Sequence, residues 1–214
     1  MQSKAKPKCL ILIDNDTKHQ TFPMKTIDYY ILDVFAKHKY QGNQLAVYVD
    51  LNDELDPEAM LQIAREINFS ESTFIKKKLA ENKFAVRIFT TESEVPFAGH
   101  TTLGSSYVVA KYLMEVPPKE LIQSLTQGEI PVSDAQSDDL DTSLFEMTQT
   151  QPAFLTTFTK EEIAQKLRID RSLIFDSKPI QEISTGLPFI MVPIKGLAHM
   201  EGIKLEVSRY KQFL

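Results

Sequence analysis

The chain has 214 residues, 43% of them hydrophobic and 25% charged, with a formal net charge of −5. This composition is that of an ordinary globular protein and excludes a disordered chain, a collagen and a coiled-coil rod. No apolar run nears the roughly 18 residues of a membrane span. An acidic chain also lacks the electrostatic footprint of a nucleic-acid binder. Small-molecule chemistry or protein binding remains, in one large domain or two small ones.

A single cysteine, Cys9, forbids an internal disulfide and any mechanism that needs two thiols. His19, His38, His100 and His199 stand apart, with no HxH or HExxH spacing, so no metal site is expected. Lys4, Lys6 and Lys8 precede the short apolar run Cys9–Ile13, which is too short for a signal peptide. A cytoplasmic location follows as the expectation. Residues 1–23 read either as an appendage before a domain that begins at Met24 or as carrying one extra strand at Leu10–Ile13.

Ile27–Phe35 and Leu45–Val49 read as strands separated by the turn signal Gln41-Gly42-Asn43. Asp56-Pro57 starts a helix, with Asp as cap and Pro at the first helical position. Met60, Ile63, Ala64 and Ile67 give that helix one apolar face, and it stops near Asn68. Thr73–Ile75 and Phe84–Phe89 are strands, and the Lys76-Lys77-Lys78 run reads as a solvated turn. After a break at residues 96–100, Leu103, Tyr107, Ala110 and Met114 mark a second helix, ended by Pro117-Pro118.

Leu121–Leu125, Glu129–Val132 and Leu144–Thr148 are strand-like, and the aspartate-rich Ser133–Asp141 reads as a hairpin tip. Thr159-Lys160-Glu161-Glu162 is a capping box opening a helix with Ile163, Leu167 and Ala164 toward its core. Ile180–Ser184 and Phe189–Ile194 are strands around Gly186-Leu187-Pro188. Ser208–Leu214 begins an amphipathic pattern without finishing it, so the second half reads as an incomplete counterpart of the first.

Two stretches could carry chemistry. In Asn68-Phe69-Ser70-Glu71-Ser72-Thr73-Phe74 a carboxyl lies among aromatic residues, and desolvation would raise its pKa toward neutrality, where it could take and return a proton. The plainer reading is an exposed loop glutamate between turn-capping serines. In Pro96-Phe97-Ala98-Gly99-His100-Thr101-Thr102, backbone N–H groups at a helix start would favour an anion such as a carboxylate. There Gly99 would permit close approach and His100 could hydrogen-bond a ligand or shuttle a proton. The plainer reading makes Thr101 or Thr102 a simple N-cap. Asn43, beside Gly42, could offer an amide to a ligand or merely occupy a turn.

Asp33-Val34-Phe35, Gly42-Asn43-Gln44-Leu45-Ala46-Val47, Asn68-Phe69-Ser70-Glu71-Ser72-Thr73-Phe74, Val86-Arg87-Ile88-Phe89-Thr90 and Glu94-Val95-Pro96-Phe97-Ala98-Gly99-His100 occur in that order. Together they resemble the phenazine biosynthesis PhzF-like family, from about Met24 to Ile194. The resemblance implies a diaminopimelate-epimerase-like α+β fold, in which two similar domains each wrap a sheet around a central helix with a cleft between them. Residues 24–116 would form the first domain and 117–214 part of the second. It further implies a homodimer without metal or organic cofactor that acts on a small-molecule carboxylate. The phenazine enzyme moves a proton along a conjugated dihydro-hydroxyanthranilate. By resemblance, Glu71 is the catalytic acid/base, His100 contacts the substrate and assists, and Asn43, Ser70 and Gly99 are substrate contacts.

The family's second-domain Asp-Pro-x-Thr-Gly stretch has no counterpart here, since Asp170 and Asp176 stand in other contexts. Three readings follow: a proton-moving isomerase, a non-catalytic remnant or dimeric binding protein, and a single-base amino-acid epimerase.

Overall fold

The computed structural model describes residues 8–11, 25–134, 144–201 and 203. Close packing divides the chain into two units, one up to Gln149 and one from Thr150. In the first unit, nine strands among the described residues form one mixed sheet. They are β1 (Lys8–Ile11), β2 (Lys25–Val34), β3 (Asn43–Val49), β4 (Ser72–Ala80), β5 (Lys83–Phe89), β6 (Glu94–Val95), β7 (Glu120–Leu125), β8 (Gly128–Asp134) and β9 (Phe145–Met147). The sheet runs β1-β2-β3-β4-β5-β7-β8-β9, with β6 on the end of β5. The pairs β3–β4 and β5–β7 are parallel.

The boundary expected between residues 116 and 117 differs from this division. β7 pairs with β5 in parallel, Lys83 opposite Ile122, and so residues 120–147 complete the first unit's sheet. At the N-terminus, β1 pairs antiparallel with β2, Cys9 opposite Ile27, which is the extra-strand alternative with its bounds shifted toward the N-terminus. The proposed hairpin tip is described only at Ser133 and Asp134, and Ser208–Leu214 lies outside the described residues.

Helix α1 (Pro57–Ile67) starts and stops as its sequence dictates. Asp56 accepts a hydrogen bond from the Ala59 N–H at 2.8 Å, and Asn68 closes the helix in the left-handed conformation at φ 57°. Its apolar face, with Met60 and Ala64, packs on Tyr48, Phe74 and Phe89 on one side of the sheet.

Helix α2 (Gly99–Val108) continues in a π-helical turn over Val109–Leu113. It packs in the main core with Leu45, Val47, Ile75, Val86, Ile88, Leu121 and Ile130. The periodicity of Leu103 and Tyr107 does not mark its most buried side. Thr101, Thr102, Ser105 and Ser106 are fully buried, whereas Leu103 and Tyr107 are partly exposed. The hydroxyls are tolerated because they bond within the helix, Thr101 and Thr102 donating to the Ala98 carbonyl and Ser105 to the Thr101 carbonyl. Small residues also let the helix approach the sheet. A Cβ on Gly104 would stand 2.5 Å from Leu45 Cδ2 and 3.0 Å from Val34 Cγ2, so a larger residue would force these side chains or the helix itself to shift.

The lysine run is not a turn. Lys76 is the extra residue of a bulge in β4, because Ile75 and Lys77 oppose Val86 and Ala85, which are adjacent in β5. Its side chain is buried against Asp50 and Asp53.

The second unit holds β10 (Ala153–Phe158), β11 (Ile180–Ser184) and β12 (Pro188–Met191) in one antiparallel sheet. Helix α3 (Lys160–Leu167) packs Ile163 against Ile174 and Ile180. The capping box forms, with Thr159 and Glu162 satisfying each other's backbone N–H groups. Asp170 caps a 3₁₀ turn and Asp176 pairs with Lys160. A short helix α4 (Leu197–Glu201) follows. Strand β10 and this helix carry no periodic signal in the sequence. Among the described residues no helix is long and apolar enough to cross a membrane.

Candidate active site

Parallel pairing of β3 with β4 sets Ala46 opposite Ser72. Asn43 at the start of β3 and Ser70-Glu71 before β4 therefore lie at the same end of the sheet. The link is direct, as the Ser70 hydroxyl donates to Asn43 Oδ1 at 3.2 Å. With its carbonyl engaged in this way, the Asn43 amide is oriented to offer its NH₂ group.

Gly42 makes that placement possible. It adopts φ 78°, and a Cβ there would stand 2.3 Å from the Val34 carbonyl oxygen. Only glycine meets both requirements, so the chain enters β3 immediately after reversing, with Asn43 as its first residue.

The N-terminus of α2 supplies the other half. Its N-cap, Ala98, is extended (φ −150°, ψ 142°) and has no side chain able to cap the helix. Thr101 and Thr102 do not act as caps either, since their hydroxyls donate to the Ala98 carbonyl at 2.8 and 2.9 Å rather than accept from N–H groups. The first-turn amides are thus left without a side-chain acceptor, the arrangement that binds anions. Gly99 keeps this end slim, and a Cβ there would meet Met147 Cε at 3.2 Å. Met147 of β9 is a neighbour that the sequence alone does not flag.

His100 is 7% exposed, and its Nε2 is buried without a hydrogen-bond partner. Glu71 Oε2 stands 3.7 Å from that nitrogen, and the Glu71 side chain is 20% exposed. This distance is too long for a hydrogen bond yet close enough for strong coulombic coupling. Burial pushes the imidazole pKa below the ordinary 6.5, and the negative charge of Glu71 opposes that shift. The ring is therefore predominantly neutral at pH 7, with one nitrogen able to donate and the other to accept. Among the described residues, no group of three His, Cys, Asp or Glu side chains could hold a metal.

The buried ring has a measurable consequence. An unfolded histidine takes up its proton near 6.5, while the folded His100 resists protonation until lower pH. Between those two values the unfolded state binds more protons, so stability falls as pH falls through the window. Urea titrations from pH 7 to 5 are expected to show this loss, and His100→Gln is expected to flatten it. Exposed carboxylates held low by hydrogen bonds or lysines, such as Asp53 and Asp176, act only below about pH 4.

The model of the family described as phenazine biosynthesis-like protein matches residues 32–213. An uncharacterized isomerase of Mesorhizobium japonicum is 29% identical over 191 residues, covering 88% of this chain and 63% of the relative. The trans-2,3-dihydro-3-hydroxyanthranilate isomerase of Pseudomonas aeruginosa is 36% identical over 110 residues, 51% of this chain and 38% of that enzyme. The crystal structure of a PhzF-family phenazine biosynthesis protein from Bacillus anthracis superposes with a TM-score of 0.73 at 28% identity, covering 85% of this chain and 60% of that one. The chain thus spans less than two thirds of the length of these proteins. Its fold is of the α+β, diaminopimelate-epimerase-like class. By sequence and by fold, the chain belongs to the phenazine biosynthesis-like (PhzC-PhzF) family.

Proposed function

We propose that this protein is an isomerase that moves a proton on a small conjugated carboxylic acid, with Glu71 as the acid/base and His100 as its partner. One observation carries the reading: Glu71 and a buried imidazole with an unpartnered Nε2 face each other at 3.7 Å beside an uncapped helix N-terminus. The carboxylate of Glu71 removes a proton from a carbon acidified by conjugation and returns it to another carbon of the same system. His100, entering neutral, hydrogen-bonds the substrate and assists the transfer without adding a competing positive charge. The α2 amides beside Gly99 hold the substrate carboxylate, while Asn43 and Ser70 bind its polar substituents.

As the family resemblance implies, the reading includes no cofactor. It also includes a homodimer. The name of the Pseudomonas aeruginosa relative supplies the first substrate to test, trans-2,3-dihydro-3-hydroxyanthranilate. Incubation of the protein with this compound in D₂O is expected to give the isomerised product, read by NMR, with deuterium at the newly protonated carbon wherever the Glu71 carboxyl exchanges with solvent before the proton is returned. Neither isomerisation nor exchange, with this compound or with related conjugated hydroxy and amino acids, would overturn the reading and favour a binding protein.

A further inference from the structure

β7 turns Leu121, Gln123 and Leu125 toward the interior, and the two leucines join the core around α2. Gln123, 2% exposed, occupies the middle of this apolar row. Its Nε2 lies 2.7 Å from the Thr102 carbonyl oxygen, 2.8 Å from Ser105 Oγ and 2.7 Å from Ser106 Oγ. The Ser105 hydroxyl proton goes to the Thr101 carbonyl at 2.6 Å, so that oxygen faces Gln123 as an acceptor. Two amide hydrogens thus serve three acceptors, all within the first two turns of α2. The Oε1 of the same amide is buried without a partner.

This is a poor arrangement if stability alone is counted. A buried acceptor left unpaired is destabilising, and a leucine would continue the alternation of β7. What the amide supplies is geometry. Seven of the ten residues of α2 are buried, four of them serine or threonine, and Leu103 and Val108 are its only apolar side chains larger than alanine packed in the main core, so apolar contacts fix the rotation of its first turns weakly. Its N-terminus has no side-chain cap to hold it. The imidazole tip lies roughly 6 Å from the helix axis, so a rotation of about 10° moves it by about 1 Å. A displacement of that size at a reacting centre can cost about 100-fold in rate.

We propose that Gln123 is a positioning residue, which locks the first two turns of α2 in rotation and thereby aims His100 at Glu71. This rests on the assignment of Glu71 and His100 as the working pair. The test follows the His100 imidazole by heteronuclear NMR in the full chain, with its signals assigned by their loss in His100→Gln. Gln123→Met keeps the volume and removes the amide. It is expected to uncouple Glu71 from His100, so that the downward shift of the His100 titration midpoint that Glu71→Gln causes in the parent shrinks by half or more in the Gln123→Met background. An undiminished Glu71→Gln shift in a folded Gln123→Met background would overturn the proposal, whatever happens to Tm. If that variant does not fold, the Ser105→Ala/Ser106→Ala double variant removes two of the three acceptors. The same loss of the Glu71→Gln shift is expected in it, and an undiminished shift is equally fatal.

Glu71→Gln separates this proposal from the one beneath it. Loss of the carboxylate is expected to lower the His100 midpoint. If it does not, the pairing of Glu71 with His100 fails. If it does so equally in the parent and in the Gln123 and serine variants, only the positioning role fails.

Discussion

Lys76→Met is expected to destabilise the first unit by about 3–5 kcal/mol, the cost of removing one partner from a buried ion pair. The Lys76 and Asp50 side chains are only 7% and 1% exposed, and they are in direct contact. Lys76 Nζ also donates to the Leu55 carbonyl at 2.6 Å and reaches Asp53 at 2.8 Å. Asp50 in turn accepts the backbone N–H groups of Glu54 and Leu55 at 2.8 and 3.0 Å. The pair therefore fixes the whole connection from β3 into α1, and methionine would leave a carboxylate buried without its counter-ion. Urea unfolding should show a lower midpoint at unchanged m-value. Adding Asp50→Asn removes the stranded charge and is expected to recover part of the loss. It will not recover all of it, because an amide replaces one of the two acceptor oxygens. A loss below about 1 kcal/mol would mean that the pair behaves as a solvated surface bridge.

The same lysine shows where sequence reasoning reaches its limit. Three consecutive lysines satisfy every local rule for a solvated turn, and only the bulge in β4 turns the first of them inward onto an aspartate 26 residues away. Long-range pairing leaves no local trace. The boundary near residue 117 is a similar case, since the alternation of Leu121 and Leu125 identifies a strand but not the sheet it joins. Local chemistry was far more legible. Asp56-Pro57, Asn68 and the Thr159–Glu162 box act within one helical turn, and each element begins or ends where these residues require.

The site lies between these extremes. The ordered stretches around Asn43, Glu71 and His100 are visible in the sequence, but their proximity depends on the parallel register of β3 with β4 and on the packing of α2. The buried hydroxyl face of α2 was hidden because serine and threonine do not count as apolar in any periodicity. Gln123 was hidden because a lone glutamine in a strand carries no signal until its acceptors are known.

Glu71→Gln is expected to lower kcat on the isomerised substrate by about 10²–10⁴-fold, the usual worth of a positioned general acid/base. The amide retains the size and hydrogen-bonding capacity of the side chain but cannot carry a proton between two carbons. KM should therefore change far less than kcat, as expected when an interaction made in the transition state is removed. Thermal stability should stay within about 0.5 kcal/mol of the parent, because the residue lies at the margin of the fold and is one-fifth exposed. The His100 titration distinguishes a chemical effect from a structural one. With the carboxylate gone, the influence that opposes burial disappears and the imidazole becomes harder to protonate. A variant that loses turnover, keeps its stability and shows a lowered His100 midpoint places the proton shuttle at Glu71. Full turnover in Glu71→Gln would move the acid/base to another group and leave the pair at the tip of α2 with a binding role alone.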